Sequence, residues 1–456
     1  MKAALLVLLL SASFAGVVTG QTWRLLNPVL SHTVVLNPKN PDVLYVGNWA
    51  NQMYRSNDAG RSWDLLAIGS SAATNFVTSI ATSSLDTGVI IATGFGFDGI
   101  SRSSNGGQTW TRVLNDTSNF RMWYISEAII EDEGRPGAFF GARGTPNNGI
   151  WRSTDDGMTW DSISVVPRNI TSRLCTIAQR RDSTNIFFLG CKGGVIMRSD
   201  DACLTWKRVP VLRGALMIKP DAEIPKINFS PRDPRVGYAV VAITDPTTIK
   251  DNGGVLKTTD GGATWDRIAF ADTSFWAVDV RDAGNGNDEV FIGGFRTTIL
   301  PTVIKGDSLV YRSSDGGSTW TQFLNIPWGG NELGDSDKIV WSIRWDPAGK
   351  KMYMAAATGI FVLDEPMSAT DNAIVDAHTT LVIGVTTSEI IVRDNSMNDD
   401  HTSWALYTMD ATRVLWGLVD NPNNQMIPTV ALPSGRYLLT WGSERRFRTA
   451  LVTLIR

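Results

Sequence analysis

Two groups of carboxylates in this 456-residue chain have residue types suited to chemistry. The first is a set of aspartates, each followed by tryptophan five residues on and all but one by glycine two residues on. Asp315 in Ser313-Ser314-Asp315-Gly316-Gly317-Ser318-Thr319-Trp320 is one example. Taken alone, Asp315 reads as a catalytic carboxylate, as a metal ligand, or as a turn residue that accepts hydrogen bonds from nearby backbone N–H groups. The second group pairs Asp279 with Asp335 or Asp337. Two carboxylates about 5 to 10 Å apart can cleave a glycosidic bond as acid and base or nucleophile. Around them Trp123, Tyr124, Trp276, Trp328 and Trp341 offer aromatic faces, while Arg296 and Glu332 offer polar edges. Such platforms suit sugar rings, which stack on one face and hydrogen-bond at the rim. The same tryptophans could equally pack the inside of a channel.

Repetition decides the reading of the first group. The phrase occurs six times, with Asp58, Asn105, Asp155, Asp201, Asp260 and Asp315 at the acidic position. Trp63, Trp110, Trp160, Trp206, Trp265 and Trp320 close the copies, 47, 50, 46, 59 and 55 residues apart. A single catalytic site has no use for six copies, whereas a fold that repeats one turn does. Asn105 replaces the carboxylate in the second copy, which keeps an acceptor but loses the charge of a base. Cys203 replaces glycine in the fourth. Periods of 40 to 50 residues built of short strands and turns indicate propeller blades.

The phrase resembles the Asp-box (BNR repeat) of sialidases, sortilin-type receptors, xyloglucanases and photosystem assembly-factor propellers. Each period fits a four-stranded antiparallel blade, as in Thr33 to Leu36, Val43 to Val46, Gln52 to Ser56 and Trp63 to Ile68. A seventh set, Val340 to Trp345, Lys351 to Ala355 and Gly359 to Leu363, lacks its fourth strand. Gly20-Gln21-Thr22-Trp23 is the tail of the same phrase, so an N-terminal strand is expected to close the last blade and remove the open sheet edges. The expected fold is all-β: a seven-bladed β-propeller over residues 21–366, with a six-bladed ring as the alternative.

Composition narrows the setting. Residues 1–20 read as a secretory signal peptide, with Lys2, an apolar Ala3 to Leu10 run and small residues before Gln21. No later stretch is apolar enough to span a membrane. A formal net charge of -3 gives no basic footprint for nucleic acid. No Cys/His spacing suggests a metal, and no cofactor motif is present. Cys175, Cys191 and Cys203 leave two readings open: a Cys175–Cys191 bridge across a hairpin, or three buried thiols.

Residues 367–379 read as a linker, and 380–456 as a small β-sandwich of short alternating runs. Its Leu432-Pro433-Ser434-Gly435-Arg436-Tyr437-Leu438-Leu439 and Trp404 to Asp410 resemble the C-terminal sorting domains of type IX secretion. That resemblance implies export to the medium or the outer-membrane surface, with the secretion machinery as a partner of residues 380–456; an ordinary accessory sandwich is the alternative.

In propellers of this kind the repeated turns lie on one face and the variable loops on the other, where recognition usually sits. The functional face is therefore expected opposite the boxes. The leading expectation is a monomeric, secreted or surface-attached propeller that binds a glycan or a surface protein without catalysis. A glycoside hydrolase of the xyloglucanase or sialidase kind and an assembly scaffold are the alternatives. The chain has room for one ring where the xyloglucanase family uses two. It also lacks the sialidase Arg-Ile-Pro motif.

Overall fold

The computed structural model describes residues 23–364 and 381–454, apart from 49–51, 69–75, 96–98, 116–126, 145–146, 214–215, 218–221, 244–250, 295–308, 324–325, 329–338, 349, 386–388, 395–402, 409–412, 419–424 and 444–445. Its architecture follows from the repeated turn. In all six copies the leading Ser or Thr hydroxyl accepts the N–H four residues on, at 2.7 to 2.9 Å. The Asp or Asn Oδ1 accepts the N–H of the Ser or Thr before the tryptophan, at 2.8 to 3.0 Å. In the five aspartate copies that residue's hydroxyl donates to Oδ2 at 2.5 to 2.7 Å. In the second copy the Asn105 Nδ2 donates to the Thr109 hydroxyl instead.

These bonds hold two successive residues at positive φ, such as Gly316 at 68° and Gly317 at 91°. Glycine adopts that conformation without steric penalty. Ala202 and Cys203 adopt it at 56° and 70° in the fourth copy, the local alteration that the missing glycine implies. The Thr319 hydroxyl and then its N–H hold the Asp315 carboxyl down at about 2. The box carboxylates are turn acceptors, and their oxygens are already engaged.

Each turn is also tied to the preceding hairpin of its own blade. The N–H of Ala59, Gly106, Asp156, Ala202, Gly261 and Gly316 donates to the carbonyl of Asp42, Gly88, Gly137, Asn185, Arg235 and Asp288 respectively, at 2.8 to 3.0 Å. The turn between the first two strands of a blade therefore shares a face with the repeated turn. Tryptophan completes the unit: Trp63, Trp110, Trp160 and Trp320 donate their indole N–H to the glycine carbonyl three residues back.

The protein is an all-β propeller. Among the described residues, pairing gives five four-stranded sheets and two larger ones that each contain the strands of one repeat; the innermost strands include Phe76–Thr82, Leu174–Gln179, Ala222–Phe229, Phe275–Asp282 and Val340–Trp345. The strand Trp23–Asn27 pairs with Gly359–Asp364 and supplies the fourth strand of the last unit. The expected inner strand Val340 to Trp345 is found as such. The third and fourth strands of the first blade lie within a residue of the sequence reading. An unexpected ribbon, Val211–Arg213 with Leu216–Met217, pairs in parallel with Trp265–Ala269; it accounts for the longer interval before Trp265. All three cysteines are buried free thiols, so no bridge spans Cys175 and Cys191.

The tail is not a detached module. Leu381–Val385, Glu389–Asp394 and Gln425–Pro428 form one sheet. Ser403–Thr408, Arg413–Leu418, Gly435–Ser443 and Arg446–Leu454 form another, and a shared apolar cluster including Ile390, Leu406, Ile427, Leu439 and Val452 joins the two. The second sheet runs on into the propeller, because Arg446–Leu454 pairs with Ser62–Ala67 through Phe447↔Trp63. The signal-like residues 1–20 and the linker 367–379 lie outside the described residues.

A methyl group at Gly262 would need φ near 81° and would sit 2.3 Å from the Phe188 ring. Gly262→Ala is expected to lower stability by about 2 kcal/mol or more, from strain plus overpacking. Equilibrium urea unfolding measures this, and an unchanged midpoint would contradict the role given to the turn.

Candidate functional site

The inner strands bury apolar side chains against their neighbours, so charges within them stand out. Lys226, Asp279 and Arg344 are such charges, and they meet in the central channel with Glu127. The Glu127 backbone is clamped to the next blade, where its carbonyl accepts the Ile177 N–H at 3.1 Å. Its carboxylate receives the Lys226 ammonium on one oxygen and the Arg344 guanidinium on the other. Asp279 accepts the Asn228 side-chain amide on one oxygen and the Trp345 N–H at 2.8 Å on the other.

The environments of the two carboxyl groups differ. Burial works against charge on Glu127, but Arg344 and then Lys226 outweigh it and hold the group below the usual carboxylate range. For Asp279 burial prevails over Arg344, the Trp345 N–H and Lys226, and the group is pushed up. Burial, with Arg344 beside it, pulls Lys226 down to about 8 against the attraction of Glu127. One carboxyl is thus biased towards keeping a proton and the other towards losing it, the division of labour that acid–base pairs require.

This cluster forms the floor of a cavity of about 610 Å³. Its walls are the ends of inner strands and the turns that follow them, including Glu131, Arg181, Pro231, Asp282 and Pro347. Arg181 pairs with Glu133 across the rim at 3.6 Å. Because those turns share a face with the repeated turns, the cavity opens on the box side. The site was expected on the opposite side.

Near the starts of the inner strands an aromatic cluster packs together. Trp276 and Trp341 meet edge-to-face at 5.3 Å, and His32 packs on Trp341 at 5.0 Å and on Phe76 at 4.9 Å. Ala242, Ile339 and Ala357 complete the cluster. Trp276 is 1% exposed and Trp341 9%, so neither is an open sugar platform; the sequence reading of both as ligand-binding is corrected to packing. Burial pushes His32 down to about 3, which keeps it neutral inside this cluster. Trp328 is likewise 7% exposed, set against Phe361 at 5.7 Å. Trp123, Tyr124, Arg296, Glu332, Asp335 and Asp337 lie outside the described residues. Of the sequence candidates, Asp279 is the one that the described cavity contains. Glu127, Lys226 and Arg344 were missed. They belong to no motif and meet across 99 and 217 positions of chain. For Lys226 and Arg344 the signal was a charge inside a largely apolar inner strand, as in Val340–Trp345; Glu127 precedes its strand and gave none.

No family model matches the chain. A xyloglucanase from a Paenibacillus species is 25% identical over 339 residues, which cover 63% of this chain. The chain spans 31% of that relative's length. Among solved structures, the GH74 xyloglucanase of Xanthomonas campestris aligns with a TM-score of 0.57 at 16% identity, over 75% of this chain and 53% of its own. The GH74 enzyme of Niastella koreensis aligns at 0.57 and 17% identity, over 95% and 74%. YCF48 from Cyanidioschyzon merolae aligns at 0.52 and 13% identity, over 76% and 99%. At these identities the structural likenesses establish the fold alone. The sequence relative and two of these structures are named as xyloglucanase or GH74 enzyme. On that finding the expectation of binding without catalysis does not stand.

Removing Glu127 would leave two cations facing each other in the channel. Breaking a buried pair in this way costs about 3 to 5 kcal/mol. Glu127→Ala is expected to destabilise in that range, and Glu127→Ala with Arg344→Met by less than the sum of the single changes. A double-mutant cycle by chemical denaturation reads the coupling; strict additivity would contradict the network.

Proposed function

We propose that the chain is an exported glycoside hydrolase acting on a β-linked glucan of the xyloglucan type, with Asp279 as general acid and Glu127 as general base. The observation that carries this reading is the sequence relationship to a xyloglucanase over 63% of the chain. The opposed protonation tendencies of two carboxyl groups in one cavity support it. In the reaction the Asp279 proton passes to the glycosidic oxygen as the bond from that oxygen to the anomeric carbon breaks. Water adds to the anomeric carbon and gives its proton to Glu127. One water is consumed per bond, and proton exchange with solvent restores both groups. Lys226 and Arg344 keep Glu127 ionised and fix its direction, and Asn228 with the Trp345 N–H orients Asp279. The leader-like residues 1–20 and the sorting-domain resemblance of 380–456 support export, with residues 380–456 as the part that meets secretion machinery.

The test is hydrolysis of soluble xyloglucan. Asp279→Asn and Glu127→Gln are each expected to lower kcat by about 100-fold or more, within the range of a lost acid or base, while Asp335→Asn and Asp337→Asn retain activity. The wild-type pH profile is expected to be bell-shaped. It falls on the acid side as Glu127 takes up a proton and on the alkaline side as Asp279 loses one. Full activity in Asp279→Asn would overturn the assignment.

A further inference from the structure

We infer that residues 403–454 are a clasp across the closure of the propeller ring. The ring stays shut while this part of the tail is docked, and a cut between propeller and tail does not part them. The inference stands on packing and strand pairing and does not depend on the hydrolase reading.

The repeated turn ties one blade to the next, and the closing blade has no copy of it. In four copies the basic residue just before the leading Ser or Thr donates to a carbonyl of the next copy's turn. Arg55 reaches Gly106 at 3.1 Å, Arg102 reaches Asp156 at 2.7 Å, Arg198 reaches Gly261 at 3.1 Å and Lys257 reaches Gly316 at 2.6 Å. The corresponding residue of the sixth copy, Arg312, has no following turn to reach and pairs with Glu289 of its own sheet. Apolar packing holds the closing blade on both sides instead. One cluster joins it to the sixth blade through Phe291 and Phe361, and another joins it to the first through Trp63 and Val362.

The tail reaches both joints. Along Gly435–Ser443 the side chains of Tyr437, Leu439 and Trp441 enter the tail's own core. Leu438 points the other way, as alternation along a strand requires. It is 3% exposed and belongs to the cluster between the sixth and closing blades. Tyr407, opposite Leu438 in register, packs on the same cluster. At the first blade, Arg446–Leu454 pairs with the outer strand Ser62–Ala67 and covers an edge of the kind that proteins avoid leaving open. The tail thus straddles the blade that closes the ring. Trp23–Asn27, paired among the described residues with Gly359–Asp364, shares the Leu438 cluster through Trp23 and Leu25. Trp345 also packs on that cluster, and its N–H holds Asp279, so one support of the cavity rests on the clasp.

The experiment places a specific protease site within residues 367–379 of the full chain and cuts it. Size-exclusion chromatography in rising urea then follows the two pieces, with hydrogen exchange read at Trp23–Asn27. The pieces are expected to co-elute in buffer, and tail release and loss of protection at Trp23–Asn27 are expected to share one urea midpoint. In the uncut chain Leu438→Ala is expected to speed exchange at Trp23–Asn27 by about 10-fold or more, the effect of truncating a buried leucine. Separation of the pieces in buffer, tail release with Trp23–Asn27 still protected, or unchanged exchange there in Leu438→Ala would each overturn the inference.

Discussion

The structure depends on a carboxylate that substitutes for missing backbone hydrogen bonds. Two consecutive residues in the left-handed region leave their neighbours' N–H groups without a ladder partner. The Asp or Asn side chain, with the Ser or Thr two residues before it, satisfies them. Six such turns impose the same exit angle between the outer strands of six blades. Each also donates an N–H to the hairpin that ends the inner strand, as Gly316 does to Asp288. Inner-strand ends are thereby held at one height around the ring, and the cavity rim is built from them. An element that first suggests catalysis is therefore the element that positions the site.

The channel shows how the ring turns sequence distance into chemistry. Glu127, Lys226, Asp279 and Arg344 come from four blades, and each alone would be a buried charge with a large desolvation cost. Glu127, Lys226 and Arg344 satisfy one another, while Asp279 is held by Asn228 and the Trp345 N–H and its ionisation is disfavoured. Below them charge is tolerated because the rim is open to water. Above them Trp276, Trp341, His32 and Phe76 pack together as an uncharged cluster. Polarity in the channel is thus graded from the turn face to this cluster.

The blade repeat was legible because the turn chemistry is local: hydroxyl, carboxylate, glycine and tryptophan at fixed offsets specify the geometry wherever they occur. The strand Trp23–Asn27 was legible as the last blade's missing piece for the same reason. The parallel ribbon at Val211–Arg213 was not, since nothing local distinguishes an inserted pairing from a long loop. The site was legible only in Asp279. Trp276 and Trp341 were assigned to an open channel mouth because alignment of inner strands shows which residues share a level, but not whether the level is filled. Glu127 precedes its strand and carries no motif, and its partner Arg344 is 217 residues away. The cavity on the turn face was passed over because variable loops draw attention to one side, while the hairpin ends on the other side converge on the axis.

The central claim is that a glucan enters the propeller cavity from the turn face and meets Asp279. The most direct measurement is a crystal structure of Asp279→Asn with a xyloglucan oligosaccharide. A sugar in the cavity, with a glycosidic oxygen within hydrogen-bond distance of residue 279, is the predicted result. An oligosaccharide bound on the opposite face, with the cavity holding only water, would contradict the account.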